Sequence, residues 1–282
     1  MSNNKRKMKK SATFALIAII CILVVVIIAG ALHLNNKAQT ASSALAATSA
    51  SGGGSSKAAS SKTASSAAAP DASASNIKAV GNLLMLVNKD NKLPPDYTPS
   101  FVTLPSKYYV ASDKDTRLDE RAAPYLVKMI TDGRAAGYNL VVYSGYRTYA
   151  YQQSNFNRHV KAFEAKGETS AQAQADTAKL VAPPGTSEHE SGLAADIVST
   201  DYLKTNSDLT ATVFDKTSAY TWLAANCAKY GFILRYPEDK VDKTKYEYES
   251  WHFRFVGVDN AKKIVASGLC LEEYVAKLDK AQ

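Results

Sequence analysis

Between Ala12 and Leu32 the chain carries no charged residue and a dense run of Ile, Leu, Val and Ala. Roughly 20 apolar residues are enough to cross a bilayer's hydrocarbon core as a helix, so this run is expected to be an anchor rather than part of a water-facing fold. Lys5, Arg6, Lys7, Lys9 and Lys10 precede it, which predicts a cytoplasmic N-terminus and an exported bulk. Cleavage after Ala29-Gly30-Ala31 is the competing reading, but a cleavable signal has an apolar region of only about 7–15 residues. From Asn35 to about Ser75 the chain is almost all Ala and Ser. Such a segment buries too little apolar surface to offset the entropy of ordering and reads as a flexible linker. Three parts follow: 1–34, a cytoplasmic basic tail and transmembrane anchor; 35–75, the linker; and 76–282, the folded domain.

The net charge of +8 is concentrated at the start. From Ala72 onward 26 Lys plus Arg stand against 25 Asp plus Glu, so the domain is close to neutral. No basic stripe with interleaved aromatics argues for nucleic acid. Cys227 and Cys270 lie beyond the apolar run; export permits a disulfide between them, and two buried free thiols are the alternative.

Within the domain, Leu83 to Pro105 reads as an irregular lead-in. Helical spacing is expected over Leu118–Gly137, Thr148–Lys166, Ser170–Val181, Ser218–Tyr230, Asn260–Ser267 and Leu271–Leu278. Strands are expected at Asn139–Tyr143, Ala194–Val198, Phe232–Tyr236 and Tyr246–Val256. The order predicts an α+β domain with a small, mostly antiparallel sheet flanked by helices.

Chemistry concentrates in two stretches. PPGTSEHESGLAADIV, Pro183 to Val198, holds His189 and Asp196 among small residues; YESWHFRFV, Tyr248 to Val256, holds His252 and Glu249. Hydrolytic zinc takes three ligands from His, Asp or Glu and leaves one position open, and His189, Asp196 and His252 make such a set. Period-2 alternation puts His252 and Arg254 on one strand face, with Trp251, Phe253 and Phe255 on the other. Glu249, three residues before His252, would sit on the wrong face of a regular strand, so it must come from a turn or bulge to reach the site. Tyr146, Tyr248 and Trp251 are candidate walls. Arg254 is expected to pair with a carboxylate that orients the pocket.

Three segments resemble the signatures of the VanY-type D-alanyl-D-alanine carboxypeptidases, zinc peptidases grouped with lysostaphin-type enzymes and the hedgehog fold. They are SGYRTYAYQ (Ser144–Gln152), PGTSEHESGLAADI (Pro184–Ile197) and EYESWHFRFVG (Glu247–Gly257). The resemblance implies that His189, Asp196 and His252 ligate one zinc ion per domain and that Glu249 is the catalytic base. It further implies that Arg147 and Gln152 bind substrate. Ser187 is expected to hydrogen-bond substrate or steady the loop. Many relatives carry Pro where Ser250 stands, which is expected to loosen the backbone beside Glu249. The implied activity is removal of the terminal D-alanine from peptidoglycan stem peptides by a monomer held outside the cell membrane through its N-terminal helix. An L,D-carboxypeptidase acting on tetrapeptide stems and a non-catalytic wall-binding module are the alternatives.

Overall fold

The computed structural model describes residues 81–110, 115–207, 209 and 211–281. The expected anchor at 12–32 and linker at 35–75 lie outside the described residues. Among the described residues no helix is long and apolar enough to cross a membrane.

The architecture is α+β. A two-stranded antiparallel ribbon pairs β1 (Phe101–Thr103) with β2 (Arg117–Asp119). The main sheet contains β3 (Leu140–Ser144), β4 (Ala194–Ser199), β5 (Phe232–Leu234) and β6 (His252–Phe255). Its order is β3-β4-β6-β5, with every neighbouring pair antiparallel. The helices are α1 (Ala123–Ala135), α2 (Tyr149–Glu164), α3 (Ser170–Leu180), α4 (Thr200–Thr205), α5 (Ala211–Phe214), α6 (Ser218–Asn226), α7 (Val241–Thr244), α8 (Val258–Ser267) and α9 (Leu271–Asp279).

The sheet is covered on both sides, which is why β4 is buried at every position. Ala195, Ile197, Phe232, Phe253 and Phe255 join Leu126, Met129 and Ile130 of α1 and Leu223 of α6 in the larger core. Ile233 and Val256 join a second cluster with Leu84, Ile264, Leu271, Tyr274 and Val275, the buried residues of α8 and α9 among them. Helices α2 and α3 form a hairpin packed chiefly on each other.

Several element ends differ from the sequence expectation. Helix α1 begins at Ala123 rather than Leu118, because Leu118 pairs with Val102 in the ribbon and Pro124 favours a helix start at that point. The expected helix over Ser218–Tyr230 changes to a 3-10 turn at Cys227 and stops at Gly231, whose φ of 78° is left-handed. A Cβ on Gly231 would come within 2.6 Å of the Phe255 ring. The strand expected from Tyr246 starts only at His252. Before it, Ser250 turns the chain and donates to the Ala211 carbonyl at 2.9 Å. Ser250 therefore fastens this turn to α5, where a looser backbone had been expected.

Cys227 and Cys270 are buried free thiols, and burial pushes the Cys227 thiol up to about 12. Neither should react with a thiol reagent at pH 8 until the domain is denatured, and reduction should leave electrophoretic mobility unchanged. A mobility shift on reduction would establish a disulfide instead.

Candidate metal centre and its cleft

Asp196 and His252 are directly opposite one another on the two inner strands, β4 and β6. Opposed residues of an antiparallel pair project side by side from one face, so the ladder register alone brings a carboxylate to an imidazole. His189 arrives on a different element, a single 3-10 turn at Glu188–Ser191 capped by Ser187 and Glu190. The Glu190 carboxylate accepts from the amides of Gly185 at 2.9 Å and Ser187 at 3.3 Å. Gly192 closes the turn at φ 72°, against Pro99, a conformation most side chains resist.

The turn after β3 sets the protons on His189. A side chain at Gly145 would collide with the Tyr109 hydroxyl, and the glycine lets the backbone run close enough for its carbonyl to meet His189 Nδ1 at 2.7 Å. A carbonyl only accepts, so Nδ1 carries the proton and Nε2 presents a lone pair. That Nε2 lies 3.3 Å from Asp196 Oδ1. On His252 the roles of the nitrogens reverse. Nε2 faces Glu188 Oε2 at 3.6 Å, which favours a proton there and leaves Nδ1 free. Nδ1 is 3.3 Å from Asp196 Oδ1 and 3.4 Å from Glu249 Oε2.

One ligand atom from each of His189, Asp196 and His252 therefore lies within 4.8 Å of the others, and all three residues are buried. Among the described residues nothing hydrogen-bonds Asp196 Oδ1. With both imidazoles neutral, two lone pairs and an anionic oxygen converge on one spot, and their repulsion is relieved by a positive charge between them, either a cation or a proton on His252. The set fits a divalent cation that takes imidazole nitrogen and carboxylate oxygen.

The site's electrostatics agree with that demand. Burial, reinforced by Arg147, pushes His189 down to about 4, so it is neutral. Burial opposes charge on His252 too, but Asp196, Glu188 and Glu249 around it outweigh that and raise it to about 9. Burial would raise the Asp196 carboxyl, yet the two histidines hold it well below its usual range.

Behind His252 lies Glu188, fully buried, whose Oε1 accepts from Arg235 Nε at 2.7 Å and Arg254 Nη1 at 2.5 Å. Both arginines are wholly buried. Burial opposes ionisation of Glu188, and the two guanidiniums override it. The sequence placed a carboxylate beside Arg254 without finding it. The available signal was Arg235, a lone cation in the apolar run FILRY, which a buried strand holds only with an acid beside it.

A cleft of about 500 Å³ opens onto the three ligand atoms. Its lining includes Arg147, Ser187, Tyr248, Glu249 and Trp251. On the hairpin side the wall is Asn155 and residues 178–182. Arg147 Nη2 is 3.4 Å from Asp196 Oδ2 and 3.2 Å from Ser144 Oγ. Glu249 stands on the turn before β6, its amide bound to the Tyr236 carbonyl at 3.1 Å. Burial raises its carboxyl to about 7, opposed by His252 and aided by Asp196.

Two of the singled-out residues are elsewhere. Gln152 is buried outside the cleft lining, with Nε2 donating to the Ala182 carbonyl at 2.7 Å. The Tyr146 ring packs at a tilt against Phe101, with centroids 4.3 Å apart. Three tyrosines that sequence reasoning passed over, Tyr143, Tyr236 and Tyr246, do line the cleft. Tyr236 lies against the His252 ring at 4.8 Å, and Tyr246 donates to the Thr186 carbonyl at 3.0 Å.

These values set a pH dependence. His252 has its pKa raised from 6.5 to about 9 in the metal-free fold, so it contributes stability that is fully present below pH 6.5 and is lost as pH rises through about 9. The melting temperature measured in chelator should fall over that window through this group. Binding a divalent cation at pH 7.5 should release about one proton, read by calorimetry in two buffers of different ionisation enthalpy. Zero release would remove His252 from the ligand set.

The family model for VanY, D-alanyl-D-alanine carboxypeptidase, matches residues 115–258. A D-alanyl-D-alanine carboxypeptidase of Enterococcus faecalis (strain ATCC 700802 / V583) is 41% identical over 192 residues, 68% of this chain and 65% of that protein. The match thus spans just under two thirds of that relative. Among solved structures, the LdcB LD-carboxypeptidase is 40% identical with a TM-score of 0.60, covering 70% of this chain and 86% of the other. A mutant of the vancomycin-resistance D,D-pentapeptidase VanY, in complex with Zn(II), is 40% identical with a TM-score of 0.55, covering 68% and 98%.

Proposed function

The chain belongs to the VanY family of D-alanyl-D-alanine carboxypeptidases, and from that premise we propose that it is a zinc-dependent D,D-carboxypeptidase removing the C-terminal D-alanine of peptidoglycan stem peptides. One observation carries the reading: the ligand triangle, the Glu249 carboxylate and the Arg147 guanidinium all face a single cleft.

His189 Nε2, Asp196 Oδ1 and His252 Nδ1 would hold one zinc ion. Zinc, when bound, polarises a carbonyl and acidifies water enough for attack at neutral pH. Glu249 takes the proton of the attacking water and returns it to the leaving amine; a carboxyl near 7 serves both directions. Arg147 offers a permanently charged, two-pronged donor to the substrate's free carboxylate, which favours an exopeptidase. Ser187 steadies the turn that carries His189 and presents its edge to the cleft. Gln152 acts at one remove, tying α2 to the Ala182 carbonyl beside the cleft.

The same proposal places residues 1–34 as a membrane anchor, 35–75 as a tether and 76–282 as a monomeric domain outside the cell membrane. The charge-free run and the basic cluster before it support that topology.

Glu249→Ala should keep zinc in metal analysis of the purified chain and lose free D-alanine release by at least about 100-fold, the lower range for a general acid–base. Arg147→Ala should lower kcat/KM about 10- to 100-fold, the worth of a charge-assisted hydrogen bond, and more on free acids than on C-terminal amides. Offered pentapeptide and tetrapeptide stems, the chain should trim the pentapeptide. Trimming of the tetrapeptide alone would make it an L,D-carboxypeptidase, the activity of its LdcB neighbour. Zinc binding without any cleavage would leave a wall-binding module.

A further inference from the structure

The charge network behind His252 is completed by residues outside the segment that defines the family. That segment ends at residue 258, yet Arg235 is gripped on its far side by Glu272 of α9. Arg235 Nη1 donates to Glu272 Oε2 at 2.8 Å and Nη2 to Oε1 at 2.6 Å. The lead-in before residue 115 also takes part. Asn88 Nδ2 donates to Glu272 Oε1 at 3.1 Å, and Arg254 Nη2 donates to the carbonyls of Leu83 at 3.0 Å and Met85 at 2.9 Å.

The charges balance only when α9 is counted. Glu188 and Glu272 together offset Arg235 and Arg254. Without Glu272, an unmatched guanidinium charge would be buried one residue behind His252, in a region where water screens little. A metal ligand set beside an uncompensated positive charge holds a dication less well.

We propose that Glu272 is a positioning residue for the metal centre: by neutralising Arg235 it makes α9 a determinant of metal affinity, while Arg254 Nη1 holds Glu188. This rests on the zinc reading above. The test is zinc affinity of the full-length chain by chelator competition, with the melting temperature of the metal-free protein measured alongside. Glu272→Gln, which keeps the shape and removes the charge, should weaken zinc about tenfold or more, as loss of an outer partner of a ligand does. Val275→Ala in the same helix should lower the melting temperature and leave zinc affinity within twofold. The double variant Arg235→Met/Glu272→Gln restores neutrality and should bind zinc within a few-fold of the unaltered chain. Should Glu272→Gln fail to fold, the double variant decides alone, and tenfold weaker binding by it overturns the proposal. So would a Glu272→Gln affinity within twofold of the unaltered chain, or an equal loss in Val275→Ala. Failure of the unaltered chain to bind zinc would sink the metal reading itself, an outcome separate from equal binding by both.

Discussion

A carboxylate sealed from water stays ionised only when cations are sealed in with it. Glu188 meets that condition through Arg235 and Arg254, and the three fasten parts that are far apart in the sequence. Arg254 is in β6, Arg235 follows β5, and Glu188 opens the turn that carries His189. Removing one member of such a buried set costs about 3–5 kcal/mol, because the partner left behind has no water to turn to. That penalty holds the His189 turn against the sheet face where Asp196 and His252 already stand side by side. The arrangement of the three ligand atoms follows from a salt network whose two arginines lie outside the cleft lining.

Side-chain size matters as much as charge. Ala194 precedes Asp196 by two residues, on the same face of β4, and opposes Arg254. Its small side chain leaves room for the guanidinium to lie under the strand and reach Glu188. Glycine does comparable work at Gly145, where the backbone must come close enough for its carbonyl to fix the His189 tautomer.

Much of this was legible in the sequence, for reasons particular residues make clear. The stretches around His189 and His252 combine a ligand type with small or alternating neighbours, and periodicity located most helices and three main-sheet strands to within a few residues. Alternation along HFRF separated Phe253 and Phe255, which reach the core, from His252 and Arg254, which do not. What escaped notice depends on contacts between distant segments. Leu118 fits a helical pattern, and only its pairing with Val102 makes it a strand residue. Glu188 and Glu272 look like ordinary acids until the fold sets Arg235 between them. Ser250 looked like a loss of stiffness, yet its hydroxyl found the Ala211 carbonyl. Gln152 shares a motif with Arg147 but is buried away from the cleft, holding Ala182.

The α2–α3 hairpin borders the cleft through Asn155 and residues 178–182, yet supplies none of the three candidate ligand residues and not Glu249. On the proposed reading, the residues given chemical roles lie on the sheet and its turns, while a separate hairpin supplies one wall of the cleft. Substitutions along the hairpin can redraw what the cleft admits while the ladder pairing of Asp196 with His252 stays intact. A scaffold arranged in this way can vary the shape of its cleft without disturbing the ligand triangle.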